Sequence, residues 1–303
     1  MSKDSNVRVL NVQFPVARPK PSGPAGFHVE TETLAFGFNF YPDRANHATI
    51  YGWLRSGLLY ESDVANFMLR MVKPGDTVVD AGANVGFHTL LMSTLTGKLG
   101  RVEAFEPSAE NIAEIEANLA LNGYTHVHIH PDALGDRDGE LLNFVFQPVN
   151  SGNSCVWLAD APAGADLRVM HARTLDSELA SLGQIKLVKM DIEGCEVKAL
   201  RGARRLLEQK AVRYWVIENC RQELQRMGED IDSLRDFMGQ FGLSMFVLGW
   251  QGDFPKLIPR PLQITGEFIS NLLFAFPDDL AEDWMIEDIT RFITPPEPGS
   301  TAA

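Results

Sequence analysis

Acidic residues stand where short apolar runs end, at a near-constant interval. Asp80 follows Thr77-Val78-Val79, Glu106 follows Val102-Glu103-Ala104-Phe105, and Asp132 comes 26 residues after Glu106, as Glu106 does after Asp80. Farther on, Asp191 ends Ile185–Met190 and Glu218 ends Tyr214-Trp215-Val216-Ile217, 27 residues later. Runs of this kind suit strands buried on both faces, and each interval holds one strand and one crossover helix. The helix between Glu106 and Asp132 shows both its ends. Pro107 and Ser108 start it, Ile112, Ile115 and Leu119 form its apolar face, and Asn122-Gly123 stops it. The chain is therefore expected to be α/β, with a mostly parallel sheet. In such sheets ligands bind beyond the carboxyl ends of the strands, near the point where the strand order reverses. The acidic residues should gather around one crevice.

The first strand runs into a glycine turn and a helix: Val78-Val79-Asp80-Ala81-Gly82-Ala83-Asn84-Val85-Gly86-Phe87-His88-Thr89. Glycine lets backbone approach a ligand closely, and a helix N-terminus offers N–H groups, so this loop suits an adenosine-type ligand. It carries a single G-x-x-x-G rather than the G-x-G-x-x-G of dinucleotide sites. Glu106, at the end of the next strand, is placed to accept hydrogen bonds from two ribose hydroxyls, a role that dinucleotide folds share. Asp132-Ala133 ends the third strand, where Asp132 could meet an adenine amino group or simply begin a surface turn. A nicotinamide oxidoreductase, NAD(P)-dependent, and a non-catalytic adenosine-ligand-binding protein are the alternatives to a group-transfer enzyme.

A second dense patch is Lys189-Met190-Asp191-Ile192-Glu193-Gly194-Cys195-Glu196. Alternation on a strand puts Lys189 and Asp191 on one face. Such charges are costly to bury unpaired, so a structural ion pair with Glu193 capping the next helix is one reading. The other makes Asp191, or Glu193, the general base for an acceptor hydroxyl, with Glu218-Asn219 orienting that acceptor. Asp191, Glu193 and Glu218 would also suit Mg²⁺, although no metal is assigned. His126, His128 and His130 alternate with Val127 and Ile129 and read as the exposed face of an edge strand. His88 reads as a packed residue in preference to a base. Trp157 and Trp250 either line an acceptor pocket or cover the core.

The remaining sequence frames this unit. At 303 residues the length admits one large domain or two small ones. Residues 1–72 read as an N-terminal extension, with an irregular arm over 1–26, one or two strands from Phe27 to Pro42, and a helix within 45–72. Residues 73–276 form the ligand-binding domain, and 277–303 a C-terminal extension with a disordered tail. The 59 residues from Asp132 to Asp191 exceed one unit, which predicts an inserted hairpin at the crevice mouth from Glu140–Phe146 and Leu167–Ala172 around Asn150–Ser154. After Glu218 come a helix near 222–241, a strand at Ser244–Gly249, an irregular connection over 250–270 and a last strand at Asn271–Phe276. A net charge of −13 argues against a nucleic-acid or anionic-membrane partner. Three cysteines without C-x-x-C suggest neither a disulfide framework nor zinc. No apolar signal-type segment or span-length run is seen, so the expected location is cytoplasmic, the expected partner is a small molecule, and a homodimer is admitted.

Taken together, Val79–Leu90, Phe105-Glu106-Pro107 and Lys189–Gly194 with Glu196 resemble FkbM-type methyltransferases, and Gly57-Leu58-Leu59-Tyr60-Glu61 is similar to that family's G-x-x-Y/F-E element. The resemblance runs from about Gly57 to Gly249. It implies a Rossmann-like class I methyltransferase fold with a seven-stranded, mostly parallel sheet flanked by helices. It also implies S-adenosylmethionine as methyl donor and a hydroxyl acceptor on a sugar or secondary metabolite. Cofactor roles are carried to Asp80, Gly82, Asn84, Gly86 and Glu106, and further ones to Glu61 and Asp191.

Overall fold

A computed structural model describes residues 8–21, 27–40, 60–147, 154–157, 164–249, 253–259 and 270–286. Strands β1 (Arg8–Pro21) and β2 (Phe27–Phe40) form an antiparallel pair of their own. The expected irregular arm is thus a strand over most of its length. Both members of a two-stranded ladder are edges, where proline is tolerated.

The central sheet holds eight strands in the order β13-β12-β14-β11-β10-β3-β4-β5. They are β3 (Thr77–Ala81), β4 (Arg101–Phe105), β5 (Val127–His130), β10 (Ile185–Met190), β11 (Val212–Asn219), β12 (Ser244–Val247), β13 (Lys256–Leu257) and β14 (Ser270–Ala275). The five strands from β11 to β5 are parallel, whereas β14, β12 and β13 pair antiparallel. The expectation of seven mostly parallel strands is corrected accordingly: the sheet is mixed, and the two-residue β13 adds an eighth strand on its edge. The chain winds outward from β3 to β5, then returns to lay β10 on the other side of β3. The strand order therefore reverses between β3 and β10, and it is beyond the carboxyl ends of such a pair that α/β sheets bind their ligands.

Alternation assigns successive strand residues to opposite faces. Val78, Val102, Leu187 and Val216 join one apolar layer with helices α1 (Ser62–Met71), α2 (Phe87–Thr96) and α3 (Ala109–Asn122). Val79, Phe105, Val188 and Ile217 join the other. That second layer is closed by α4 (Leu175–Glu178), α5 (Glu196–Arg201), α6 (Arg204–Glu208), α7 (Arg221–Arg226) and α8 (Ile231–Gly239). Helix α9 (Pro277–Trp284) buries Leu280 in the first layer. Helix α3 has the ends its sequence announces, with the Ser108 hydroxyl accepting from Asn111 N–H and Gly123 left-handed at the C-cap. The single helix expected near 222–241 is two, because Gly228 turns left-handed and Asp230 caps a new start with Ser233 in a reciprocal box.

The inserted hairpin is present as β7 (Leu141–Phe146) antiparallel to β9 (Asp166–Arg173). Short strands β6 (Ala133–Leu134) and β8 (Cys155–Val156) widen it to four. Its inner face, with Leu142, Phe144 and Val156, packs on Cys195 and Ile192 of the Asp191 loop and on Met227. Residues 148–153 of the polar loop, the helix expected before residue 60, Trp250 and the C-terminal tail beyond 286 lie outside the described residues.

Candidate active site

Asp80 ends β3 with no solvent exposure. Its Oδ2 accepts from the Thr89 hydroxyl at 2.6 Å, which ties the strand to the first turn of α2. Its Oδ1 has no hydrogen-bond partner among the described residues. Burial raises its pKa and nearby Lys189 opposes the rise.

The glycines of the loop serve purposes the sequence did not show. Gly86 is left-handed at the N-cap of α2, where a Cβ would sit 3.2 Å from Ile115 Cγ1. Gly82 is left-handed too, and a Cβ there would lie 1.7 Å from the Asp191 carbonyl oxygen. Close approach at Gly82 is therefore by the neighbouring strand-end loop: the missing side chain lets the β3 and β10 loops lie against each other, with Asp191 N–H donating to the Ala81 carbonyl at 3.0 Å.

Glu106 follows β4 and is buried. Its Oε2 accepts from the Asn84 N–H at 2.8 Å, and its Oε1 from the Ser108 N–H at 2.9 Å and the Asn111 amide at 3.1 Å. Burial pushes its pKa up to about 7 against those hydrogen bonds. A carboxylate offers about four lone pairs, so Oε2 keeps one for a further donor.

Beside Asp80, the parallel register sets Lys189 of β10, with Val216 of β11 on its other side. Lys189 is buried, and its Nζ donates to Asp191 Oδ2 at 2.9 Å. Burial by itself would lower the lysine's pKa; the charges of Asp191, Glu61 and Asp80 outweigh it and hold the ammonium well above its usual range. Around it stand Glu61 from the turn before α1, Asp191 just past β10, and Glu218 near the end of β11, each offering a carboxylate oxygen within 4.8 Å of the others. Burial, then Asp191, Glu193 and Glu61, lift Glu218 well above the carboxylate range. Burial pushes Glu61 up to about 7 against the pull of Lys189, and burial followed by Asp191 pushes Glu193 up to about 9.

Three non-glycine residues of this neighbourhood hold left-handed backbone: Glu61 (φ 44°), Asn84 (φ 49°) and Glu193 (φ 55°). Such conformations cost on the order of 1–3 kcal/mol and concentrate where side chains must be aimed. His88, on α2, is buried and packs edge-on against Phe87, as its packing reading requires. Its Nε2 nevertheless lies 3.6 Å from Glu61 Oε2 and has no hydrogen-bond partner among the described residues.

Other expected residues fall differently. Glu193 does not cap the next helix. No side chain caps that helix; Glu196, its first residue, reaches back into the loop, its Oε1 accepting from the Ile192 and Gly194 N–H groups at 3.0 and 3.2 Å. Glu193 instead has its carbonyl bound by the Arg226 guanidinium, which lies over Trp157 of the insert. Asp132 and Ala133 lie past β5, two strands from β3, with Ala133 buried against the insert. The three histidines are not simply an exposed face. His128 is exposed, but His130 stacks on Phe105 and bridges Glu103 at 2.6 Å and Glu178 at 3.2 Å, and His126 reaches the Ser93 carbonyl. All three cysteines are free thiols. Thr89 and Glu196 were missed as functional partners, because both act through backbone turns whose geometry a linear pattern does not carry.

Residues 80–245 match the methyltransferase FkbM domain model, more than half of the chain. The chain belongs to the FkbM methyltransferase family. Among curated relatives it is similar to Methyltransferase 1 of Beauveria bassiana (strain ARSEF 2860), 29% identical over an alignment of 160 residues, with 46% of this chain and 61% of the relative covered. The chain thus matches less than two thirds of that relative's length. Among solved structures it is similar to methyltransferase FkbM from Methylobacillus flagellatus KT, with 21% identity, 73% of this chain and 46% of that chain covered, and a TM-score of 0.43. It is also similar to a SAM-dependent O-methyltransferase from Thermotoga maritima, with 13% identity, coverages of 72% and 66%, and a TM-score of 0.39. The family match lends no support to a nicotinamide oxidoreductase.

Proposed function

We propose that the crevice binds S-adenosylmethionine and that the protein methylates a hydroxyl group on a small molecule, such as a sugar or secondary metabolite. The observation that carries this reading is Glu106. It is a buried carboxylate at the end of the strand next to the glycine loop, held by the Asn84 N–H of that loop and left with acceptor capacity. Its remaining lone pair on Oε2 can accept from a ribose hydroxyl. The unpartnered Asp80 Oδ1 and the excess of carboxylates over the one lysine suit the positive methionine end of the same ligand.

When bound, S-adenosylmethionine supplies an electrophilic methyl group on a sulfonium. The chain's own residues would do the rest. Asp80 and the Gly82–Gly86 loop hold the methionine end, Glu106 the ribose, and Asp132–Ala133 the adenine edge. Asp191, fixed by Lys189, orients or deprotonates the acceptor hydroxyl, with Glu193 and Glu218 beside it. Alignment of acceptor oxygen with the methyl carbon, in a site closed to water, is the main contribution such a protein can make. A net charge of −13 favours a small-molecule acceptor over nucleic acid or an anionic membrane. No helix among the described residues is long and apolar enough to cross a membrane.

Calorimetric titration with S-adenosylhomocysteine, with NADH as the control ligand, tests the reading. Saturable binding of the first and none of the second is expected. NADH binding, or no binding of either, would overturn it.

A further inference from the structure

We propose that Glu61, Asp191 and Glu218 form a binding site for a hard divalent cation of the Mg²⁺, Mn²⁺ or Ca²⁺ class. The three carboxylates come from three separate elements and present oxygens within 4.8 Å of one another. Oxygens on opposite sides of a Ca²⁺ at about 2.4 Å stand about 4.8 Å apart, and around Mg²⁺ at about 2.1 Å they stand about 4.2 Å apart. Three oxygens within 4.8 Å of one another therefore lie inside the span that one hard cation can bridge.

The charge balance points the same way. Ionised, the three carboxylates carry three negative charges against the single positive charge of Lys189, which a dication would neutralise.

A second, independent observation is His88. It is 4% exposed, its Nε2 lacks a hydrogen-bond partner among the described residues, and it lies 3.6 Å from Glu61 Oε2. Glu61 Oε2 is itself a buried oxygen without a hydrogen-bond partner there. These two buried polar atoms, 3.6 Å apart and without hydrogen-bond partners among the described residues, leave ligand capacity at the edge of the carboxylate cluster. The lysine opposes binding, so affinity should fall at the weak end for oxygen sites, about 10⁻⁵–10⁻³ M. A bound dication would lower the pKa of an acceptor hydroxyl that reached it. That consequence rests on the hydroxyl-methylation reading; the binding site does not.

The test is titration of the full chain with Mn²⁺, followed by loss of the free-ion electron paramagnetic resonance signal, with no cofactor present. One Mn²⁺ per chain, displaced by Mg²⁺ or Ca²⁺, is expected. Glu218→Gln and Glu61→Gln should each weaken binding by about tenfold or more. Glu208→Gln, an exposed carboxylate on α6, should leave it unchanged. The two site variants lie on different elements, and thermal unfolding shows whether each is folded. If neither folds, the wild-type titration decides. Absence of saturable binding up to about millimolar Mn²⁺ overturns the proposal, and so does equal binding in both folded variants. Homocysteine-product binding is measured separately, so failure of the cation site and failure of the cofactor reading are told apart.

Discussion

Replacing Gly82 by alanine should disturb the centre of the crevice through one contact. A Cβ at this position lies 1.7 Å from the Asp191 carbonyl oxygen and 2.8 Å from its carbon. Ordinary non-bonded contact needs about 3.5 Å, so the two loops must part by roughly 1.5 Å. Asp191 N–H and the Ala81 carbonyl are 3.0 Å apart, and that separation takes them out of hydrogen-bond range, at a net cost of about 1 kcal/mol. Left-handed backbone adds about 1–2 kcal/mol for alanine. The total is about 2–3 kcal/mol, a fall in melting temperature of roughly 3–5 °C for a chain of this size. The assay is thermal and denaturant unfolding beside Gly75→Ala as control. Gly75 has φ +92° and nothing within 4 Å of its would-be Cβ, so it carries the backbone term alone. Gly82→Ala should lose clearly more. Equal losses would refute the account of Gly82 as the seat of the Asp191 carbonyl.

Further outcomes follow from the same geometry. Asp191→Asn should lower methyl transfer by about 10²-fold or more, as loss of a general base or orienting carboxylate does, with a much smaller change in unfolding free energy; parallel losses would favour a structural ion pair. Lys189→Met should destabilise the fold by about 3–5 kcal/mol in denaturant titration, because it leaves Asp191 and its neighbours without their buried counter-charge; unchanged stability would remove that role. Folded-state pKa values raised to about 7 for Glu61, Glu106 and Glu196 and to about 9 for Glu193 mean the folded chain holds protons that the unfolded chain releases. Their stabilising contribution is complete below about pH 4.5 and is lost as pH rises through 7 to 9. For buried Glu106 this is about 3 kcal/mol. Ligand-free melting temperature should therefore fall from about pH 6 to 9, and a flat or rising profile would contradict the raised values.

Much of this was legible in the chain because sheet and crevice share one local pattern. Each parallel strand is a short apolar run whose terminal residue faces the crevice, so Asp80, Glu106, Asp191 and Glu218 could be placed by position alone. The helix from Ala109 was legible because Ser108 and Gly123 do at its ends what their side chains dictate. What could not be read depends on contacts distant in sequence. Gly82 suggested a ligand cradle, and only the fold shows another strand's carbonyl there. Glu193 and Glu196 are similar carboxylates three residues apart, and backbone turning alone decides that the Glu196 side chain ties down the Ile192–Gly194 loop while Glu193 is held by its carbonyl. Glu61 lies on no strand, and its place came from family resemblance rather than from periodicity. The antiparallel direction of β12 and β14 could not be read because strand direction leaves no mark in a short apolar run.

The most direct test of the central claim, that this crevice is the cofactor site, is the affinity of Glu106→Ala for S-adenosylhomocysteine relative to wild type. Loss of a charged hydrogen-bond acceptor costs about 1.5–3 kcal/mol, which predicts binding weaker by about tenfold or more in a variant that remains folded. Wild-type affinity in the folded variant would contradict the account, since the buried carboxylate at the end of β4 would then have no part in holding the ligand.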